Sequence, residues 1–281
     1  MNAIEIHDLH KSFEGFSLND VSFSVPQGTV MGFVGENGAG KSTTIKCILN
    51  LLKKEYGEIL LFGKDIVEHE LSIKNDIGVV FDDLHVPETL NATQLDKIMK
   101  KVFKTWNSSY YFERLAQFKI PERKKVKNFS RGMRMKLSIA LAMSHHPKLL
   151  ILDEPTSGLD PIIRDEILDL FSTFMQDETH SILFSSHITS DLEKIADYIT
   201  FIHNGEILFS ESKDVLVYEY GIFKGSNEEV SDIPENAIIK KRNGAFGIEV
   251  LVHKNKVNKV FSLEKPSIED IMLFYVKGNV L

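Results

Sequence analysis

Nine residues, Gly35-Glu36-Asn37-Gly38-Ala39-Gly40-Lys41-Ser42-Thr43, constrain this chain more than any other stretch. They follow the apolar run Val30-Met31-Gly32-Phe33-Val34 and precede a helical pattern of Ile45, Ile48, Leu49 and Leu52. Strand, glycine-rich loop and helix form the setting in which G-x-x-x-x-G-K-[ST] cradles phosphate. The glycines let backbone N–H groups turn inward around an anion, and the helix N-terminus adds partial positive charge behind them. Lys41 is expected to reach β- and γ-phosphates, and the Ser42 hydroxyl to ligate Mg²⁺. For the motif standing alone, a plain glycine-rich connector is the alternative.

Composition narrows the class. The 281 residues allow one large domain with a small one, or two medium ones. A formal charge of −7 argues against a nucleic-acid partner, which asks for a basic face. Cys47 is the only cysteine, which excludes an internal disulfide and fits a reducing compartment. In the helix after the loop it reads as a small buried residue. Met1–His7 lacks the basic flank and apolar stretch of a signal peptide, so none is expected. No run of about 18 apolar residues occurs, so action at a membrane would need another chain to span it.

Along the chain, Ile4, Ile6 and Leu9 begin an alternating strand, Lys11-Ser12-Phe13-Glu14-Gly15 reads as a turn, and Val21, Phe23 and Val25 alternate again before Pro26-Gln27-Gly28. Phe13 is either a surface hydrophobe or a platform on which a base could stack. Glu58–Gly63 reads as a strand and turn, and Ile77–Phe81 as a buried strand ending at Asp82-Asp83. Ligands in open α/β sheets sit outside that end, although paired acids there also serve as turns and caps.

From Val86 to Ser144 the pattern turns helical. Asn91 can cap a helix with Ala92, Leu95, Ile98, Met99 and Val102 inward, and Asn107 or Ser108 a second with Phe112, Leu115 and Ala116 inward. Trp106, Tyr110 and Tyr111 read as core, with a docking surface as the alternative. Arg123-Lys124-Lys125-Val126-Lys127 reads as a solvated face. Phe129-Ser130-Arg131-Gly132-Met133 then opens a helix, a second candidate anion site.

Lys148–Glu154 reads as a strand apolar on both faces, with Asp153 at its tip to hold Mg²⁺ and Glu154, directed to the other side, to polarise water. Asp160-Pro161 supplies an N-cap and N1 proline for a helix buried through Ile163, Ile167, Leu170, Phe171 and Phe174. Ser181–Ser185 is another buried strand with His187 after it, and Ser190 with Glu193 forms a capping box. Asn204-Gly205 joins Tyr198–His203 to Glu206–Ser210 as a hairpin. In the tail, Ile238-Ile239 and Phe246–Val252 read as strands about Asn243-Gly244, and Ser267 caps a last helix.

Taken together, Ile4 to Ser210 resembles the nucleotide-binding subunit of an ATP-binding cassette transporter, with the elements in the family's order. The resemblance implies an α/β fold of P-loop NTPase type: a mixed sheet core with an antiparallel β subdomain and a helical subdomain at about 86–145. It places the ATPase domain at 1–217 and a small α+β extension at 218–281. By the same resemblance Phe13 stacks adenine, Gly35 to Thr43 bind phosphate, and Ser130, Arg131, Gly132 and Met133 occupy the signature position. Asp153 with Ser42 takes the metal, Glu154 is the catalytic base, Ser157-Gly158-Leu159-Asp160 contacts the second subunit, and His187 senses the γ-phosphate. Two departures stand out. The signature reads F-S-R-G-M where L-S-G-G-Q is usual, and Asp82 stands where the family often has a metal-sensing Gln, with Asp83 as a substitute. An ionised Asp82 can reach Mg²⁺ but cannot donate a hydrogen bond.

The resemblance further implies ATP and Mg²⁺, a second ATPase subunit packed head to tail (identical or not), and a transmembrane permease subunit at the cytoplasmic face of the cell membrane. The combination looks most like bacterial exporters of peptides or antibiotic-like amphipaths. A soluble ATPase acting on ribosomes or in assembly is the alternative. A DNA-repair ATPase is excluded because Thr43 to Ser130 is too short for its coiled coil.

Overall fold

Val30–Val34 and Leu149–Leu152 present apolar side chains to both faces, and each forms a strand buried along its length within a six-stranded sheet. The computed structural model describes residues 1–244, 247–258 and 260–278. In chain order, β1 (Asn2–Phe13), β2 (Phe16–Pro26) and β3 (Val30–Val34) lead into α1 (Lys41–Ile48). Next come β4 (Tyr56–Leu61), β5 (Lys64–Asp65), α2 (Glu70–Asn75) and β6 (Ile77–Val80). Three helices follow, α3 (Ala92–Val102), α4 (Ser108–Gln117) and α5 (Arg131–Met143). The chain returns to the sheet with β7 (Leu149–Asp153), α6 (Pro161–Phe174), β8 (Ser181–Ser186), α7 (Thr189–Ile195) and the hairpin β9 (Tyr198–His203) and β10 (Glu206–Ser212). The tail holds β11 (Tyr220–Gly225), α8 (Asn227–Ser231), β12 (Ile238–Gly244), β13 (Gly247–His253) and α9 (Ile268–Lys277).

The large sheet runs β10-β9-β3-β8-β7-β6, parallel except for the β9–β10 pair. An antiparallel sheet, β2-β1-β4-β5, lies to one side. Alternation along β7 divides the interior between two layers. Leu149 and Ile151 join Ile45 and Ile48 of α1 and Ile4 and Ile6 of β1; Leu150 and Leu152 join Leu137 of α5 and Ile167 and Phe171 of α6. The fold is thus the α/β arrangement that the sequence implies.

Several local elements depart from expectation. Lys11–Phe13 extends β1 rather than turning, because it pairs with Leu18, Ser17 and Phe16 of β2. α1 ends at Ile48, closed by a left-handed Asn50 (φ 55°), which leaves Leu52 outside it. On α3 Ala92 and Leu95 are buried but Ile98 and Val102 are 45% and 60% exposed. On α4 Tyr111 and Leu115 fill the core and Ala116 is exposed. Trp106 packs on Tyr111 at 5.2 Å and donates to Asp96, so these two aromatics are core. Ser190 and Glu193 do not cap α7: Arg164 donates to the Ser190 hydroxyl, and Glu193 accepts from the Ile268 N–H at the start of α9.

The tail forms a three-stranded sheet, β11-β13-β12, in which β11 is an addition to the strands expected. Phe246, expected to begin a strand, lies outside the described residues. One face holds Phe223, Val230, Ile233 and Val250, while Ile222 and Leu251 with Ile268 and Phe274 of α9 merge with the main core.

His145, at the end of the helical region, is 2% exposed, stacked on Phe103, and its Nε2–H donates to the Ile77 carbonyl (3.0 Å). Burial lowers its pKa below the ordinary value, outweighing that hydrogen bond. The unfolded chain therefore takes up a proton that the folded chain resists, so stability is present above the ordinary histidine value and is lost progressively as pH falls below about 6.5 towards the lowered folded value. A Tm measured from pH 7.5 down to 5.5 is expected to fall, and His145→Gln to flatten part of that slope. Equal slopes in both proteins would show that His145 does not contribute.

Candidate functional site

The glycine-rich loop spans the end of β3 and the start of α1, and its shape depends on Gly40. That residue has φ 115°, and a Cβ on it would stand 2.7 Å from Leu18 Cδ2 and 3.0 Å from Phe16 Cζ. Ala39 is buried beneath the loop and its N–H donates to the Glu36 carbonyl. Glu36, Asn37, Gly38, Lys41, Ser42 and Thr43 line one side of a cavity of about 280 Å³. Asp82, Arg131, Glu154, Ser157 and His187 line the rest. Residues that follow the carboxyl ends of β3, β6, β7 and β8 thus meet at one end of the sheet.

Lys41 is 5% exposed, and its Nζ donates to the Gly35 carbonyl (2.6 Å) and the Glu36 carbonyl (3.2 Å) and stands 3.2 Å from Glu154 Oε1. The other carboxylate oxygen of Glu154 accepts from His187 Nδ1 at 2.7 Å. Glu154 leaves the strand through a left-handed conformation (φ 53°), so backbone strain rather than simple alternation turns it from Asp153. Its N–H donates to the carbonyl and hydroxyl oxygens of Ser185 (3.2 and 3.1 Å). Ser185 Oγ in turn donates to Asp153 Oδ1 at 2.7 Å. Burial raises the Asp153 carboxyl above its ordinary range, while hydrogen bonds from Ser185 and Ser42 pull it back and the charges of Asp82 and Glu154 push it up.

The two acids after β6 separate. Asp82 faces the cavity, whereas Asp83 accepts from the Leu84 N–H and borders a different, apolar cleft. Phe13 is 44% exposed and lies in its own depression with Gly15, Phe16 and Asn204. It stacks on Phe16, whose ring abuts the glycine-rich loop at Gly40, and Lys11 Nζ lies 5.4 Å from its centroid. Ser130 is the N-cap of α5, its Oγ accepting from the Met133 N–H; Gly132 is buried and Met133 partly so. Asp160 is likewise the N-cap of α6, its Oδ1 accepting from the Ile163 N–H. Ser130, Gly132, Met133 and Asp160 therefore stand apart from the lining of the cavity beside the glycine-rich loop, and Arg131 alone of that group reaches it.

A family model described as ABC transporter matches residues 18–157. The lantibiotic transport ATP-binding protein SrtF of Streptococcus pyogenes is 35% identical over 214 residues, 75% of this chain and 91% of that protein. This chain belongs to the ABC transporter family. The bacitracin transport ATP-binding protein BcrA of Bacillus licheniformis is 36% identical over 68% of this chain and 63% of its own. A solved ATP-binding subunit of an ABC transporter superposes with a TM-score of 0.69 at 27% identity, covering 76% of this chain and 91% of the other. As a member of the ABC family the chain is a nucleotide-binding ATPase, and the cavity at the sheet edge is where its chemistry is sought.

Three features of this ABC ATPase escape a reading of its sequence. Ser185 ties the two acids together, although a serine in a buried strand carries no distinctive signal. Buried Asp191 accepts from Thr156 Oγ1 (2.7 Å) and from Arg164, pinning the 155–160 turn to α7. Arg131 lies against Gly158, a contact that joins two motifs far apart in sequence.

Proposed function

We propose that this chain binds ATP and Mg²⁺ in the cavity bordered by Gly35–Thr43 and drives export of peptides or antibiotic-like amphipaths through a separate permease subunit. One observation carries the catalytic part: Glu154 lies between Lys41 and His187, at the edge where β7 and β8 end. In this reading Lys41 contacts the β- and γ-phosphates, and the loop N–H groups hold the remaining oxygens. Glu154 accepts a proton from the attacking water, and His187 orients Glu154 and meets the γ-phosphate.

The hard oxygen donors Ser42, Asp153 and Asp82 suit Mg²⁺, which is held by one or two carboxylates together with substrate phosphates. Among the described residues no group of three or more His, Cys, Asp or Glu forms a cage for a metal by itself, which agrees with a metal that arrives with nucleotide. Held by these residues, Mg²⁺ would supply charge neutralisation for the nucleotide phosphates. Phe13 stacks the adenine. Ser130, Gly132, Met133 and Asp160, outside the chain's own cavity, belong to the surface that closes over the nucleotide of a second subunit.

Among the described residues no helix is long and apolar enough to cross a membrane, so in this reading the permease supplies the span. An apolar cleft of about 340 Å³ between the sheet and the helical region offers it a seat. Leu51, Phe81, Leu84, Met99 and Phe103 line it, and Leu51 is 57% exposed. An open apolar surface of this kind suits a partner segment, and Asp83, which borders it, is next in sequence to Asp82 of the phosphate cavity. Cargo class rests on the names of SrtF and BcrA. Leu51→Asp is expected to move the chain from the membrane fraction of its host to the soluble fraction while purified protein still binds ATP. A variant that stays membrane-bound would remove the cleft from the interface.

A further inference from the structure

We propose that Arg131 is a second cation for the terminal phosphate of ATP held by its own chain, so that a single subunit distinguishes ATP from ADP before any partner closes over it. This rests on the reading of the Gly35–Thr43 cavity as the ATP site. Arg131 is the first residue of α5, yet its side chain crosses to the loop that precedes α6. Its guanidinium covers Gly158: a Cβ on that glycine would stand 2.7 Å from Nη1 and 2.8 Å from Cζ. Gly158 also has φ 66°, so any larger residue would strain the backbone and displace the guanidinium. Laid over that glycine, Arg131 joins Lys41, Ser42, Glu154, Ser157 and His187 in the wall of one cavity.

The other cations of α5 itself are committed elsewhere. Arg134 pairs with Glu88 and Lys136 with Glu166. Arg131 instead presents a planar set of N–H donors, a geometry suited to phosphate oxygens, to the cavity that Lys41 and Ser42 also line. A second cation in that lining favours the triphosphate, whose extra group adds negative charge. Arg131 also stands between Ser130 and Gly132, the residues proposed to close on the second subunit's nucleotide, which links filling of one cavity to the surface presented to the other.

The test is calorimetric titration at protein concentrations where light scattering finds monomer, with ADP and with the non-hydrolysable β,γ-imido analogue of ATP. Arg131→Ala is expected to weaken the analogue about tenfold, the effect of one lost charge-assisted hydrogen bond, and ADP by less than twofold. Arg131→Lys should fall between, because it keeps the charge but not the fork. Equal loss for both nucleotides, or no loss in the monomer with impaired dimer formation alone, would overturn the proposal. Lys41→Ala in the same assay separates the two readings. If it leaves both nucleotides bound, the cavity assignment itself fails; if it releases both while Arg131→Ala shows no selectivity, only the role of Arg131 fails.

Discussion

Glu154→Gln should bind ATP, lose about 10²–10⁴-fold in turnover, and accumulate as a dimer. The magnitude is what general-base assistance contributes. Gln has nearly the same shape and can still meet His187 and Lys41, so the loop and the strand end are preserved. What disappears is the carboxylate proposed to accept the proton of the attacking water. If ATP holds two subunits together and hydrolysis parts them, arrested hydrolysis leaves them joined. Steady-state phosphate release gives the first effect, and size exclusion with light scattering in ATP gives the second. A variant that hydrolyses at the wild-type rate, or elutes as monomer with ATP bound, would contradict this role.

Lys41→Ala should act earlier, on affinity. Its ammonium is buried and already held by two loop carbonyls and Glu154, so it is positioned before phosphate arrives. Two charge-assisted hydrogen bonds to β- and γ-oxygens, at about 1.5–3 kcal/mol each, correspond to at least about 100-fold in ATP affinity. The variant also leaves Glu154, 14% exposed, with His187 as its remaining partner among the described ion pairs, so some loss of thermal stability accompanies it. Titration with ATP measures the first effect directly. Unchanged affinity would mean that Gly35–Thr43 does not hold the phosphates.

Much of this was legible because it depends on short-range chemistry. The glycine-rich loop, the apolar strand ending at Asp153, the Asn91 and Ser267 caps, and the Asn204-Gly205 hairpin each follow from neighbouring residues, and each stands in the structure as expected. Failures came where tertiary partners compete with local pattern. Ser190 and Glu193 have capping spacing, but Arg164 and the start of α9 take their oxygens. Ile98 and Val102 continue an amphipathic pattern in α3 with no core opposite them. The left-handed Glu154, the Ser185 bridge and the Arg131–Gly158 contact join segments about 30 residues apart, and only the folded sheet edge brings them together.

The most direct test of a transport ATPase is to purify the Glu154→Gln chain, tagged, from detergent-solubilised membranes of its host in ATP, and to identify what co-elutes. A multi-span membrane protein at fixed stoichiometry is the expected result, and its cavity would delimit the cargo. Recovery with soluble proteins or ribosomes alone, with none of the chain in the membrane fraction, would contradict a role in transport and leave a soluble ATPase.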